Sequence, residues 1–93
     1  MSNQEKKLEL VQRILKQAVE ISNNTIADVF VSYSGHVDYI GISVYLQGWN
    51  REYEEDYKEE VWFSLSNEER NLKKLEDTIK YLEEVQNNEV NSL

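Results

Sequence analysis

The chain of 93 residues contains no cysteine and no proline, and it has only three glycines and one histidine. Without cysteine it cannot form disulfides, use a thiolate nucleophile or bind zinc through thiolates. No apolar run approaches the roughly 20 residues that a membrane-spanning helix needs, and the N-terminus has no signal-peptide core. The three glycines form no phosphate-binding loop. These absences predict a cytoplasmic protein without a membrane segment.

Catalytic and metal-binding patterns are missing as well. The single histidine, His36, falls in a predicted turn, and no nucleophile elbow surrounds a serine that it could activate. A domain of this size has little room for the cleft that paired catalytic carboxylates require. The acidic residues between positions 52 and 60 lack the spacing and the central glycine of an EF-hand loop. We therefore expect a non-enzymatic protein with no cofactor and no metal site.

Negative charge is what the sequence has in excess, with 18 acidic and 10 basic residues and a net charge of −8. The distribution is uneven, because residues 26–65 contain eight acidic residues and only two basic ones. Direct binding of nucleic acid is disfavoured, since it requires positive charge to displace counterions. An acidic surface suits a basic protein partner, although it also serves solubility alone.

Apolar residues at helical spacing predict one helix near each end of the chain. The first covers residues 4–23, and the two asparagines at 23 and 24 provide its stop. The second covers residues 67–86 and follows a capping box that begins at Ser66. Its apolar stripe could also be a self-association seam, but two heptads are too few to indicate a coiled coil. Residues 87–93 are predicted to form a frayed tail.

Alternation of apolar and polar residues in the middle of the chain predicts three strands, at about 25–34, 37–47 and 57–65. Gly35 marks the first turn, because glycine tolerates the positive φ of tight turns. Short connections favour an antiparallel meander. We predict one α+β domain, residues 1–93, in which both helices cover one face of the sheet in a two-layer sandwich of order α-β-β-β-α. The predicted helix-facing strand residues are Val29, Val31, Ile40, Ile42, Val44, Val61, Phe63 and Leu65.

Four aromatic residues are predicted on the opposite face of the sheet, where strands commonly carry polar residues. Cross-strand aromatic pairs stabilise a sheet by about 0.2–1 kcal/mol per pair and need no ligand. An open apolar face is equally typical of an interface, either with another protein or between two such faces in a homodimer. The four residues are Phe30, Tyr39, Tyr45 and Trp62.

The connection between the second and third strands, GWNREYEEDY at residues 48–57, combines aromatic and acidic residues. Trp and Tyr are enriched among the residues that dominate binding energies, so aromatics with a charged rim are typical of an interface. The alternative is a solvated loop whose aromatic side chains pack on the edge of the core. The predicted partner-binding residues are Trp49, Asn50, Glu52, Tyr53, Glu54, Glu55, Asp56, Tyr57, Glu59 and Glu60.

The words Gly48-Trp49-Asn50 and Glu52-Tyr53-Glu54, followed by a run of acids, resemble a segment of small acidic phage anti-CRISPR proteins. Proteins of that family inhibit type II-A Cas9 by mimicking the charge of DNA on the surface that reads the PAM. The resemblance covers about ten of the 93 residues. It implies a phage or mobile-element inhibitor whose carboxylates occupy the lysines and arginines of a nucleic-acid-handling enzyme.

Two functions are therefore predicted as alternatives. The first is a non-enzymatic binding module that uses an acidic and aromatic surface against a basic protein partner. The second is a structural or regulatory homodimer that associates through the aromatic face of the sheet. In the first alternative, charge comes from Glu54, Glu55, Asp56, Glu59 and Glu60, and affinity from Trp49, Tyr53 and Trp62.

Overall fold

The computed structural model describes the backbone of residues 2–65 and 67–92, and the side chains of those residues up to Asn88. The strands form one antiparallel sheet in the order β1-β2-β3. The predicted α+β fold with the order α-β-β-β-α is confirmed. The elements are α1 (Asn3–Asn24), β1 (Asp28–Ser34), β2 (Tyr39–Tyr45), β3 (Tyr57–Trp62) and α2 (Glu68–Ser92).

Both helices pack on the same face of the sheet, with α1 against β1, α2 against β3, and the helices against each other. The central strand β2 shows a strict alternation of buried and partly exposed residues, as a strand with one covered face should. Its helix-facing side chains fill the space below the contact between the helices. The largest fully buried apolar side chains are Ile14, Ile21, Ile40, Ile42, Val44, Val61, Leu75 and Leu82.

The two helices run in the same direction. Ser22, near the end of α1, contacts Val29 at the start of β1, whereas Lys7 contacts Asp38 beyond the end of that strand. On the other side of the molecule, Tyr57 at the start of β3 contacts Tyr81, far along α2. Each helix is thus antiparallel to its strand, and both helices end where β2 connects to β3.

Side-chain caps define where the helices begin. The Ser2 Oγ accepts the Glu5 N–H at 3.1 Å, and the Asn67 Oδ1 accepts the Arg70 N–H at 2.8 Å. The capping serine predicted at Ser66 lies outside the described residues. The helix α2 continues to Ser92, so the frayed tail predicted from residue 87 is not observed in residues 87–92. No glycine or proline interrupts this stretch.

The strand β3 ends three residues before its predicted end, at Trp62. A turn follows, in which the Leu65 N–H donates to the Trp62 carbonyl at 3.0 Å. Phe63 still packs against the core, with the Lys7 ammonium 3.9 Å from its ring centroid. Leu65 is 79% exposed. The prediction of Leu65 as a helix-facing core residue is therefore wrong, because the turn carries it away from the sheet.

The turn between β1 and β2 spans residues 35–38 and contains the exposed His36, as predicted. The positive φ of this turn belongs to Asp38, at 49°, and not to Gly35. The Asp38 carboxylate accepts hydrogen bonds from the Tyr33 hydroxyl at 2.7 Å and from the Lys7 ammonium at 3.0 Å. These bonds lower the pKa of Asp38, and the bond to the carboxylate raises the pKa of Tyr33.

Candidate functional site

The connection between β2 and β3 begins with a sharp reversal at Gly48. This residue has a φ of 88°, which disfavours any residue with a Cβ. A Cβ at this position would also lie 3.2 Å from the Ile26 carbonyl oxygen. The Gly48 N–H donates to the Tyr45 carbonyl at 3.1 Å, so the chain turns immediately after β2.

Three acceptor side chains hold the backbone of this connection. The Asp28 carboxylate on β1 accepts the Trp49 N–H at 2.7 Å. The Asn50 Oδ1 accepts the Glu52 N–H at 2.9 Å and forms an Asx turn at the tip. The Asp56 carboxylate accepts the Leu46 N–H at 2.7 Å across the base. Asn50 and Asp56, both predicted to bind a partner, instead direct their side chains to the backbone of the loop itself.

Two aromatic side chains of the loop are exposed. Trp49 is 57% exposed and Tyr53 is 55% exposed. More than half of each side chain is therefore exposed, and the alternative of a solvated loop whose aromatic side chains pack on the edge of the core stays a prediction. Exposing apolar area costs about 25 cal/mol per Å² relative to burying it, so these two rings retain area that a partner could cover.

Tyr57, although part of the same acidic segment, is partly buried and packs against the core. Its ring stacks on that of Tyr81, with centroids 4.1 Å apart and an interplanar angle of 12°. Its hydroxyl lies 3.0 Å from the Thr78 Oγ1. Tyr57 is the donor in this bond, because Thr78 uses its own proton to bond the Lys74 carbonyl at 3.0 Å. Burial raises the pKa of Tyr57 and of Tyr81. Tyr57 pairs with Val44 on the helix-facing side, which removes it from the predicted surface.

Glu59 and Glu60 point to opposite faces of the sheet, because successive side chains of a strand alternate. Glu59 faces α2, where the Lys74 ammonium lies 3.7 Å from its carboxylate. Glu60 lies on the open face and accepts the Tyr39 hydroxyl at 2.8 Å, with the Lys58 ammonium 3.7 Å away. The hydrogen bond to Glu60 raises the pKa of Tyr39. The predicted acidic run is therefore divided between two faces.

The predicted partner-binding surface that remains is one part of the connection between β2 and β3. We call this part the acidic–aromatic loop. Arg51, which was not predicted as a site residue, lies among its carboxylates and is exposed. Among the described residues, no salt bridge involves Glu52, Glu54 or Glu55. The loop comprises Trp49, Arg51, Glu52, Tyr53, Glu54 and Glu55.

The four aromatic residues predicted on the open face of the sheet all lie there, but they form two separate pairs. Phe30 and Tyr45 meet edge to face with centroids 5.7 Å apart, and Tyr39 and Trp62 meet at 4.3 Å. The small residues in the middle of this face, including Gly41, lie between the two aromatic pairs. A Cβ at Gly41 would lie 3.0 Å from the Tyr39 Cζ, so that ring rests over the glycine. A homodimer through this face stays a prediction.

No match identifies a family. Comparisons of the chain with models of protein families, with curated proteins and with solved structures find no similar protein. The resemblance to anti-CRISPR proteins therefore stays a prediction. Within residues 2–65 and 67–92, no helix is long and apolar enough to cross a membrane, and no cluster of three or more acidic or histidine side chains is placed to hold a metal ion.

Proposed function

We propose that the protein is a non-enzymatic binding protein that docks its acidic–aromatic loop onto a basic surface of another protein. The exposure of Trp49 and Tyr53 on a hydrogen-bonded loop carries this proposal. An ordered loop loses little conformational entropy when it binds, so more of the contact energy becomes affinity. Aromatic side chains at the centre of a contact are the residues that most often dominate binding.

The carboxylates of the loop supply the electrostatic part of the proposal. Glu52 and Glu54 flank Tyr53 in the sequence and are exposed, and the adjacent Glu55 is partly exposed, so their carboxylates are available to lysine and arginine side chains of a partner. Charge complementarity of this kind accelerates association and selects against acidic partners. Basic surfaces that hold phosphates would be suitable targets, and an inhibitor of a nucleic-acid-handling enzyme is the form to which the sequence resemblance points.

The test compares two triple variants that change the net charge equally. The loop variant carries Glu52→Gln, Glu54→Gln and Glu55→Gln, and the control variant carries Glu69→Gln, Glu76→Gln and Glu84→Gln on the exposed side of α2. Each immobilised full-length protein is used to capture partners from cell lysate, and bound proteins are eluted with a salt gradient. We expect the wild type and the α2 variant to retain a basic protein that the loop variant loses.

The captured protein then allows affinity to be measured as a function of salt. Trp49→Ala and Tyr53→Ala should each raise its Kd about tenfold or more, as expected for central aromatic residues. Binding should weaken as salt increases, because the attraction between exposed charges is screened. Equal losses for the loop and α2 variants, or an affinity independent of salt, would refute the proposal. Circular dichroism of each variant establishes that the fold is intact.

A further inference from the structure

The edge of the sheet formed by β3 is closed along its second half by hydrogen bonds. The N–H of Glu60 donates to the carboxylate of Glu59 at 3.0 Å, and the Glu60 carbonyl accepts the Lys74 ammonium of α2 at 3.1 Å. The Trp62 carbonyl accepts the Leu65 N–H at 3.0 Å. These contacts satisfy outward backbone groups of Glu60 and Trp62, so a further strand cannot pair along that part of β3.

The opposite edge is formed by β1. The hydrogen-bond pattern shows which of its backbone N–H and carbonyl groups point outward, away from the sheet. The Val44 carbonyl points to β3, because it accepts the Asp56 N–H at 2.8 Å. In an antiparallel pair, residues with outward groups lie opposite each other, so Val29, the partner of Val44, directs its N–H and carbonyl away from the sheet. By alternation, Val31 and Tyr33 do the same.

Within residues 2–65 and 67–92, the structure shows a cap on one of these outward groups. The Ser22 Oγ of α1 accepts the Val29 N–H at 3.1 Å. Among the described residues, no side chain and no backbone group outside the β1–β2 ladder is hydrogen-bonded to the backbone of Val31 or Tyr33. No Asp, Glu, Lys or Arg occurs between Asp28 and Asp38 to guard the edge. Such an uncharged edge with free backbone groups is a template for an additional strand.

An apolar groove runs beside this open edge, between β1 and the outer side of α1. Its volume is about 400 Å³. Leu15 and Val19 of α1 are each 53% exposed along it. A strand added to β1 would place alternate side chains against these two residues, as the helix-facing residues of the existing strands do. The groove is lined by Leu15, Val19, Ser22, Val29, Phe30 and Val31.

The groove has room for a strand but not for a second copy paired through β1. Neighbouring strands lie about 4.8 Å apart, whereas packed helices need about 8–10 Å between their axes. Because α1 packs directly on β1, a second copy would bring its own α1 into the same space. An extended segment without a covering helix avoids this overlap. Although α1 and β1 carry as many basic as acidic residues, the net charge of −8 on the whole molecule favours a segment with basic flanks at low salt.

We propose that the β1 edge and this groove bind an extended segment of another protein, with apolar residues at alternate positions and basic residues on either side. The segment would pair with the backbone of Val31 and Tyr33 and cover Leu15 and Val19. This mode of recognition takes affinity from backbone hydrogen bonds and specificity from the alternate side chains. The site is separate from the acidic–aromatic loop, and the proposal does not depend on the function of that loop.

The probe is an acetylated and amidated peptide of sequence KKVTVTVKK, titrated into the full-length ¹⁵N-labelled protein. We expect the amide signals of the groove residues to shift. Hydrogen exchange at the amides of Val31 and Tyr33 should slow about tenfold or more, because these N–H groups acquire acceptors. The amides of Phe30 and Ser32 already bond to β2, so their exchange should not change. The peptide EEVTVTVEE should bind more weakly at low salt.

Matched variants separate the groove from general hydrophobic binding. Leu15→Glu should weaken peptide binding about tenfold or more. Leu8→Glu is the control, because Leu8 is on the same helix and is 51% exposed but does not line the groove. Trp49→Ala should bind the peptide as the wild type does. Failure of the proposal for the β1 edge can therefore be distinguished from failure of the proposal for the acidic–aromatic loop.

Four results would overturn the proposal. The first is an absence of peptide binding at millimolar concentration, and the second is binding that leaves the exchange of Val31 and Tyr33 unchanged. The third is slow exchange of these two amides in the free protein together with a dimer in sedimentation, which would assign the edge to a second copy. Equal effects of Leu8→Glu and Leu15→Glu would show that the groove is not the binding site.

Discussion

Tyr53 and Tyr57 are four residues apart in one acidic segment, yet only one of them contributes to the surface. Tyr57 is in β3 at a position that faces the helices, and there its ring stacks on Tyr81. Tyr53 follows the turn made by Asn50, and its backbone N–H is bonded to the Asn50 carbonyl at 3.0 Å while its ring remains exposed. The amino-acid composition of the segment does not distinguish these two roles, because the roles depend on the residue at which β3 begins.

The two tyrosines therefore respond differently to loss of the hydroxyl. Tyr57→Phe removes a donor from the buried Thr78 and should lower the free energy of unfolding by about 1 kcal/mol. Tyr53→Phe should change it by less than about 0.5 kcal/mol, because the residue is exposed. Urea denaturation of both variants measures the difference. Equal destabilisation by the two substitutions would contradict the packing of Tyr57 against the core.

Gly41 offers a second test at the residue scale, because the Tyr39 ring rests over it. Gly41→Ala should displace the ring and break the hydrogen bond from Tyr39 to Glu60. The pKa of Tyr39, which that bond raises, should then fall towards its ordinary value of about 10. Tyrosine ring signals followed by NMR across the alkaline range report this pKa. Glu60→Gln should lower the Tyr39 pKa in the same direction, whereas Glu69→Gln should not.

The direction of the Tyr39 pKa shift determines the pH range in which it contributes to the stability of the fold. A phenol whose pKa is raised in the folded state stabilises the fold below its unfolded pKa, near pH 10, and this contribution is lost as the pH rises through the folded pKa. The stability of the wild type should therefore decline more steeply above about pH 10 than that of Gly41→Ala.

At the scale of elements, the acidic–aromatic loop is held through β1. The Asp28 carboxylate bonds the Trp49 N–H, so the first strand fixes the start of a loop that belongs to the second and third. Asp28→Ala should increase hydrogen exchange at the Trp49 amide about tenfold or more, because the amide loses its acceptor. The control is Asp77→Ala, which removes only an exposed salt bridge to Lys73. Unchanged exchange at Trp49 would contradict the anchoring role.

The order and type of the elements could be predicted from hydrophobic periodicity, because each helix and strand has one apolar side. The ends of the elements could not. The strand β3 ends early because the turn that contains Leu65 begins after Trp62, and α2 begins beside the cap formed by Asn67. Such ends depend on individual hydrogen bonds and not on a repeating pattern.

The candidate site was only partly predictable. The placement of Glu59 and Glu60 on opposite faces follows from the alternation of a strand, a signal that the sequence contains. The role of Asp56 depends on a contact with Leu46, ten residues earlier in the chain, and no local pattern indicates it. The open edge of β1 was equally hidden, because it depends on which backbone groups the other elements satisfy.

At the scale of the whole molecule, the net negative charge comes from one segment of the sequence. Residues 1–37, which form α1 and β1, contain four acidic and four basic residues. Residues 38–93 contain 14 acidic and 6 basic residues and thus carry the full net charge of −8. The open edge of β1 therefore belongs to the neutral part of the chain, and the acidic–aromatic loop belongs to the charged part.

Repulsion within the charged part should make the stability dependent on salt. Raising NaCl from about 0.02 M to about 0.5 M should increase the melting temperature, because screening reduces the repulsion between carboxylates. The increase should be smaller for the triple variant Glu52→Gln, Glu54→Gln and Glu55→Gln. Thermal unfolding followed by circular dichroism measures both. A decrease of the wild-type melting temperature with salt would indicate that attractive ion pairs dominate instead.

The shared direction of the two helices has an electrical consequence. Each helix carries the equivalent of about half a negative charge at its C-terminus, and here both C-termini lie at the end of the sheet that bears the acidic–aromatic loop. Neither helix has a basic residue in its last turn to offset this. The two helix dipoles add, where antiparallel helices would have cancelled. The molecule consequently has a permanent dipole moment, and the field of a positively charged surface would exert a torque that turns the loop towards that surface before the two proteins touch.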